Sequence, residues 1–343
     1  MDFDHRAAVF LHRKINGQRT LSALMQILLG NRTAQTISDL HLFHLEQFAG
    51  ILKYAPGEIR NSFEKTLRAT FHEDLQKTAD GLSETAHPLS EEFDGMNYEW
   101  TGRAAHLWES LSLFIQTLSH LKQGDRFFFP VSSDMRIQQQ VKSVLKNRSL
   151  NELIEAMYQE LLFPLQDLNE PVQALFVDRL TVKNEVGLSY AQLSSNYQMS
   201  PFEAYIMVRS ALHALLAAHD FNPAAYPILN MLMPKTAFED DEALTESAKQ
   251  TRQLLNKGLS LQEVSKTRKL KISTVEDHIV ELAHVDYDFD YGPYLEETEL
   301  KEILKHIREY NLTRLRLLKE ATGGKYTYLQ LRIAMAMARR RKQ

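Results

Sequence analysis

No cysteine occurs anywhere in the 343 residues. That one absence removes disulfides, thiolate zinc sites and cysteine nucleophiles together, and it fits a reducing cytosol. Glycine and proline are sparse, at 13 and 10, which leaves little from which to build a turn-rich β architecture. No apolar run approaches the roughly 18 residues of a membrane span. The opening stretch, MDFDHRAAVFLHRK, lacks the apolar core of a secretory signal. Strand-like alternation is nearly missing too, and its one short candidate, Phe127-Phe128-Phe129, stops at Pro130.

Signatures of catalysis are also absent. Gly323-Gly324-Lys325-Tyr326 has a Gly-Lys pair without the glycine spacing or the following Ser/Thr of a phosphate loop. There is no Gly-x-Ser-x-Gly elbow and no dinucleotide fingerprint. His41 and His44 share one helix face without a carboxylate pair to complete a ligand set, and Phe71-His72-Glu73-Asp74 lacks the second histidine of a zincin helix. The expectation is a protein that is not an enzyme and needs neither cofactor nor metal.

What is present is helix. Hydrophobic residues make up 44% and charged residues 24% of the chain, and the apolar positions recur three and four apart. The expected fold is all-α: a multi-helix N-terminal body of helical hairpins over residues 1–235 and a C-terminal helix-turn-helix domain over 244–343. The Pro-led acidic segment 234–242 marks the main boundary, with 236–243 read as the acidic linker. A sub-boundary is expected near 125–150, and the polar, acidic stretch 79–102 reads as a long loop or partly disordered insertion.

Helix starts are marked by Ser followed three residues later by Glu or Gln, a capping box. These occur at Ser149…Glu152, Ser189…Gln192, Ser200…Glu203, Ser260…Glu263 and Ser273…Glu276. The last four form two pairs, and each pair reads as a short helix, a tight turn and a second helix. In the C-terminal pair, a helix over 244–256 is expected to carry Leu244, Ala248, Thr251 and Leu255 on one face and to stop at Gly258. Val275, Ile279 and Leu282 would face inward from the last helix. A looser hairpin is expected at the N-terminus, with helices from Thr20 to Leu29 and from Thr33 to about Leu52 around Gly30-Asn31-Arg32.

Charge separates the two ends. Residues 241–343 hold 19 Lys+Arg against 16 Asp+Glu, whereas residues 1–240 hold 21 against 28. The basic side chains Lys266, Arg268, Lys269 and Lys271 crowd the C-terminal turn, and Arg339, Arg340 and Arg341 sit near the chain end. With Thr274 and His278 on the second helix, these are the candidate nucleic-acid-binding residues. Glu276, Asp277 and Glu281 on that same helix would meet phosphates with the wrong sign, which argues against sequence reading in the major groove. Phosphate contact along the basic edge and a protein-docking or packing role both remain open. In the middle pair, Arg209 is the one full positive charge of the apolar second helix, so burial is the default. Arg19, Arg32 and Gln35 could touch nucleic acid or simply face solvent.

Thr251, Gly258, Arg268, Ser273, Thr274 and His278, followed by Tyr328-Leu-Gln-Leu331-Arg332, resemble the helix-turn-helix domain appended to many RecQ-type helicases. Together with Gly17-Gln-Arg19-Thr20, Gly30-Asn-Arg-Thr-Ala-Gln35-Thr36-Ile-Ser-Asp39 and the Leu107-Trp108 to Ser119 stretch, the whole chain resembles the YpbB family, encoded beside a RecQ-type helicase in Gram-positive bacteria. The resemblance implies a cytoplasmic bacterial accessory protein, near the nucleoid where DNA is contacted. Its partner would be a RecQ-type helicase, with DNA bound at low sequence specificity, in repair, recombination or replication. The alternative is a helix-turn-helix transcription regulator that binds one DNA sequence.

Overall fold

The computed structural model describes residues 2–15, 17–72, 100–146, 148–233, 244–286, 289–309 and 315–340. Among them there are 17 α-helices and no strand; Val182 and Glu185 form one isolated bridge. The Phe127–Phe129 run, the strand candidate, lies in a loop. No helix among the described residues is long and apolar enough to cross a membrane.

The chain divides into two compact units, Met1–Leu29 with Gln47–Phe238, and Gly30–Glu46 with Glu239–Gln343. The single division expected near 236–243 therefore does not capture the organisation, because residues 30–46 belong with the C-terminal unit. The linker stretch itself, and the expected loop 79–102 apart from Trp100 to Gly102, lie outside the described residues. Residues 125–150 fall inside the first unit.

The first unit holds α1 (Phe3–Ile15), α2 (Leu21–Leu28), α4 (Gly57–His72), α5 (Thr101–Lys122), α6 (Met135–Leu145), α7 (Leu150–Leu165), α8 (Glu170–Asp178), α9 (Tyr190–Tyr197), α10 (Pro201–Phe221) and α11 (Pro227–Leu232). Helix α10 is apolar nearly all round, and burial follows: Phe202, Ile206, Val208, Ala211, Leu215 and Leu216 are all inside. It packs against α5, α7, α8 and α9. Several polar groups caught in this core find partners. Glu160 accepts hydrogen bonds from the backbone N–H groups of Ile228 at 2.9 Å and Leu229 at 2.8 Å, which caps the start of α11. Arg209 is buried, as its surroundings predicted, and donates to the Thr101 carbonyl at 3.3 Å.

The second unit holds α3 (Ala34–Leu42), α12 (Glu246–Leu255), α13 (Leu261–Arg268), α14 (Ile272–Val285), α15 (Glu297–Glu309), α16 (Leu315–Ala321) and α17 (Tyr328–Arg340). Its core gathers Val264, Val275, Ile279, Leu300, Ile303, Leu318, Tyr326, Leu331 and Ala334. Helix α14 is central and packs against α3, α12, α13 and α17. The expected N-terminal hairpin is corrected by this arrangement. Its second helix ends at Leu42, two residues before His44 takes a left-handed backbone with φ 52°, and α3 and α2 belong to different units.

Candidate nucleic-acid interface

The C-terminal hairpin is built by local signals. Ser260 opens α13 with a complete capping box: its hydroxyl accepts the Glu263 N–H, and the Glu263 carboxylate accepts the Ser260 N–H at 2.8 Å. Lys269 ends the helix in the left-handed region at φ 53°, and the Ser265 hydroxyl donates to the Leu270 carbonyl at 2.7 Å across the turn. Helix α14 then starts at Ile272 with Lys271 as its N-cap, so Ser273 lies inside the helix and is not the cap that Ser273…Glu276 suggested.

The middle hairpin repeats this construction position by position. Ser189 caps α9 with Gln192 in a complete box, Gln198 ends it at φ 55°, and the Ser194 hydroxyl donates to the Met199 carbonyl at 2.6 Å. Ser200 and Glu203 form a further full box at the start of α10. Ser149 is an N-cap without a side-chain hydrogen bond. In each hairpin the residue before the left-handed turn reaches back to the preceding helix: the Tyr197 hydroxyl donates to Asp178 of α8 at 2.8 Å, and Arg268 donates into α12.

Arg268 separates from the other candidates here. It is half-buried, and its guanidinium donates to the Ser247 carbonyl at 2.6 Å, the Ser247 hydroxyl and Gln250 at 3.0 Å each, and the Thr251 hydroxyl. The Thr251 hydroxyl in turn meets His278 Nδ1 at 2.9 Å. His278 is buried, and burial together with the Arg268 charge pulls its pKa below the ordinary value. Three motif residues from three helices thus form one internal chain, Arg268–Thr251–His278, that joins α12, α13 and α14. In the sequence the three stand together as residues of one resemblance motif, and Thr251 also as a hydroxyl in register with the inward face of α12.

The acidic residues of α14 are also used internally. Glu281 is buried and accepts from both the backbone N–H and the hydroxyl of Thr245, the N-cap of α12. Burial raises its pKa, while these two hydrogen bonds and the Arg32 charge act to lower it. Asp277 pairs with Arg332 of α17 at 2.7 Å. Two of the three carboxylates expected to repel phosphates are therefore committed within the unit.

The turn and one face of α13 are exposed. Gln262, Glu263, Lys266 and Thr267 of α13 are exposed, as are Lys269, Lys271 and Ser273, with Thr274 half-buried at the open end of α14. The rest of α14 is largely enclosed, with Val275 and Ile279 to Ala283 all buried. Nothing is described of the Arg339 and Arg340 side chains, and Arg341 lies outside the described residues. Elsewhere, Arg19 donates to the Gln18 carbonyl at 3.0 Å, and Gln35 donates to Asp39 at 2.7 Å. Among the described residues no group of three or more His, Asp or Glu is placed to hold a metal ion.

A profile described as a helix-turn-helix domain matches residues 247–335. Over nearly its whole length the chain is similar to Protein YpbB of Bacillus subtilis (strain 168), 28% identical over 335 residues that cover 94% of each chain. No solved structure matches the chain. The chain is a YpbB homologue that carries a helix-turn-helix domain in its C-terminal region.

Proposed function

We propose that this chain is a non-enzymatic accessory protein that touches DNA phosphates through the α13–α14 turn and works beside a RecQ-type helicase in repair, recombination or replication. The observation that carries the DNA half is the division of labour at the turn. Lys266, Lys269 and Lys271 are all exposed, while Arg268 in their midst is tied inward. The enclosed body of α14 supports end-on contact with the backbone over insertion along a groove, where a reading helix needs its side chains free. It therefore favours low sequence specificity over a regulator that binds one operator. The helicase half rests on the sequence resemblance of Thr251, Arg268 and His278 to the domain fused to such helicases.

The test is binding to labelled duplex DNA across a range of salt. Substituting Lys266, Lys269 and Lys271 by Ala should weaken binding and flatten the salt slope by roughly 2 to 3, at about 0.9 for each phosphate no longer neutralised. An unchanged slope would assign the turn to protein docking. Co-purification with a RecQ-type helicase at physiological salt tests the partnership, and failure to associate refutes it.

A further inference from the structure

Among the described residues of the first unit, the Phe127-Phe128-Phe129 run brings two highly exposed aromatic rings together in sequence. Phe127 is 93% and Phe129 95% exposed, while Phe128 between them turns inward and stacks on His120 with ring centres 4.3 Å apart. The two outer rings are thus offered to solvent while the middle one anchors the segment.

The segment is held in place. Asp125 accepts from the Phe127 N–H at 3.1 Å. The buried Gln116 side chain clamps the other end, donating to the Phe129 carbonyl at 3.1 Å and accepting from the Val131 N–H at 3.0 Å. Two bare phenylalanines on a backbone fixed from both sides present a preorganised surface.

Basic residues adjoin the run in sequence. Lys122 and Arg126 are exposed, and among the described residues neither has a carboxylate partner. Asp125 is neutralised by Lys183 at 3.4 Å and contacts His120 at 3.0 Å. This local excess of cations stands out in a region whose net charge is negative.

We infer that Phe127 and Phe129, with Arg126 and Lys122, form a stacking site for single-stranded nucleic acid. Exposed rings and flanking cations are what an unstacked base and its phosphates require, and a duplex keeps its bases out of reach of such rings. The site is separate from the lysine edge and stands whether or not that edge binds duplex.

The full chain should bind a fluorescein-labelled oligothymidylate, read by anisotropy. The double substitution Phe127→Ala, Phe129→Ala should weaken that binding about tenfold or more and leave duplex binding unchanged. Phe127→Trp, Phe129→Trp should retain or strengthen it. Arg126→Ala should reduce the salt slope by about 0.7. Because both rings are exposed, the alanine variant should keep the wild-type melting temperature. The lysine-edge variant should lose duplex binding and keep the oligothymidylate, so failure of one site is distinguishable from failure of the other. Unchanged oligothymidylate affinity in the alanine variant overturns the inference. So does light scattering in which the wild type self-associates through these rings, the alanine variant being monomeric, with no affinity for the oligonucleotide.

Discussion

Thr251 shares a hydrogen bond of 2.9 Å with His278 Nδ1, and Arg268 donates to the same Thr251 hydroxyl. Arg268 has only protons to give, so Thr251 accepts from it and keeps its own proton and a second lone pair for its other contacts. A charged imidazolium would stand close to the guanidinium, so burial and the Arg268 charge both favour the neutral ring.

This fixes a pH dependence. Burial and the Arg268 charge lower the pKa of His278 from its ordinary 6.5. Below about pH 6.5 the unfolded chain takes up a proton that the folded chain refuses, so this contribution to stability is present above that pH and lost below it. His213 in the first unit is shifted the same way, so the readout is a difference. Between pH 7.5 and 5.5, roughly the range where an unperturbed histidine titrates, urea unfolding of wild type should lose more stability than His278→Gln. Parallel curves would show that His278 is not held neutral.

The basic residues of the turn should separate by role. Arg268→Ala leaves Thr251 and the Ser247 carbonyl without their donor and should destabilise the second unit by about 2 to 3 kcal/mol, in line with the loss of hydrogen bonds to a charged group. Lys266→Ala should change stability by less than about 0.5 kcal/mol, as an exposed substitution. Chemical denaturation compares the two; equal effects would contradict the inward role of Arg268.

Lys269 and Gln198 offer a matched pair, both left-handed with φ near 53° and 55°. Glycine relieves a left-handed residue of its side-chain penalty, worth about 1 kcal/mol. Gln198→Gly should raise the melting temperature and do nothing else. Lys269→Gly should raise stability while weakening duplex binding. A Lys269→Gly protein that binds duplex as well as wild type would remove Lys269 from the interface.

Glu160 makes a prediction for the first unit. Glu160→Ala strips the Ile228 and Leu229 N–H groups of their acceptor inside the core, at a cost of about 1 to 3 kcal/mol. Amide hydrogen exchange should then accelerate over Pro227–Leu232 before it does so in α10. Unaltered protection there would show that water or another group takes over the cap.

How much of the fold and site could be read from the sequence depended on range. Ser189, Ser200 and Ser260 announced their helices because a capping box is closed within four residues, and the apolar surface of α10 announced its burial. Ser273 misled because Lys271 already occupies the cap, a choice set by where the turn at Lys269 releases the chain. Arg268 and Glu281 looked like solvent-facing charges; their partners lie on another helix, at Ser247 and Thr245, and no local pattern marks such a pair. The phenylalanine run had the composition of a short strand, and among the described residues no neighbouring strand completes a sheet. The place of residues 30–46 was hidden most completely, since α3 meets α14 across more than half of the chain.

That last feature gives folding an order in time. Helix α3 leaves the ribosome roughly 230 residues before α14 begins, an interval of roughly 10 to 50 s at about 5 to 20 residues per second. Throughout it, the apolar side chains of Ile37 and Leu40 wait for a surface that does not yet exist. A fragment that starts after residue 239 reproduces the opposite deficit: it has the surface and never acquires the helix that covers it.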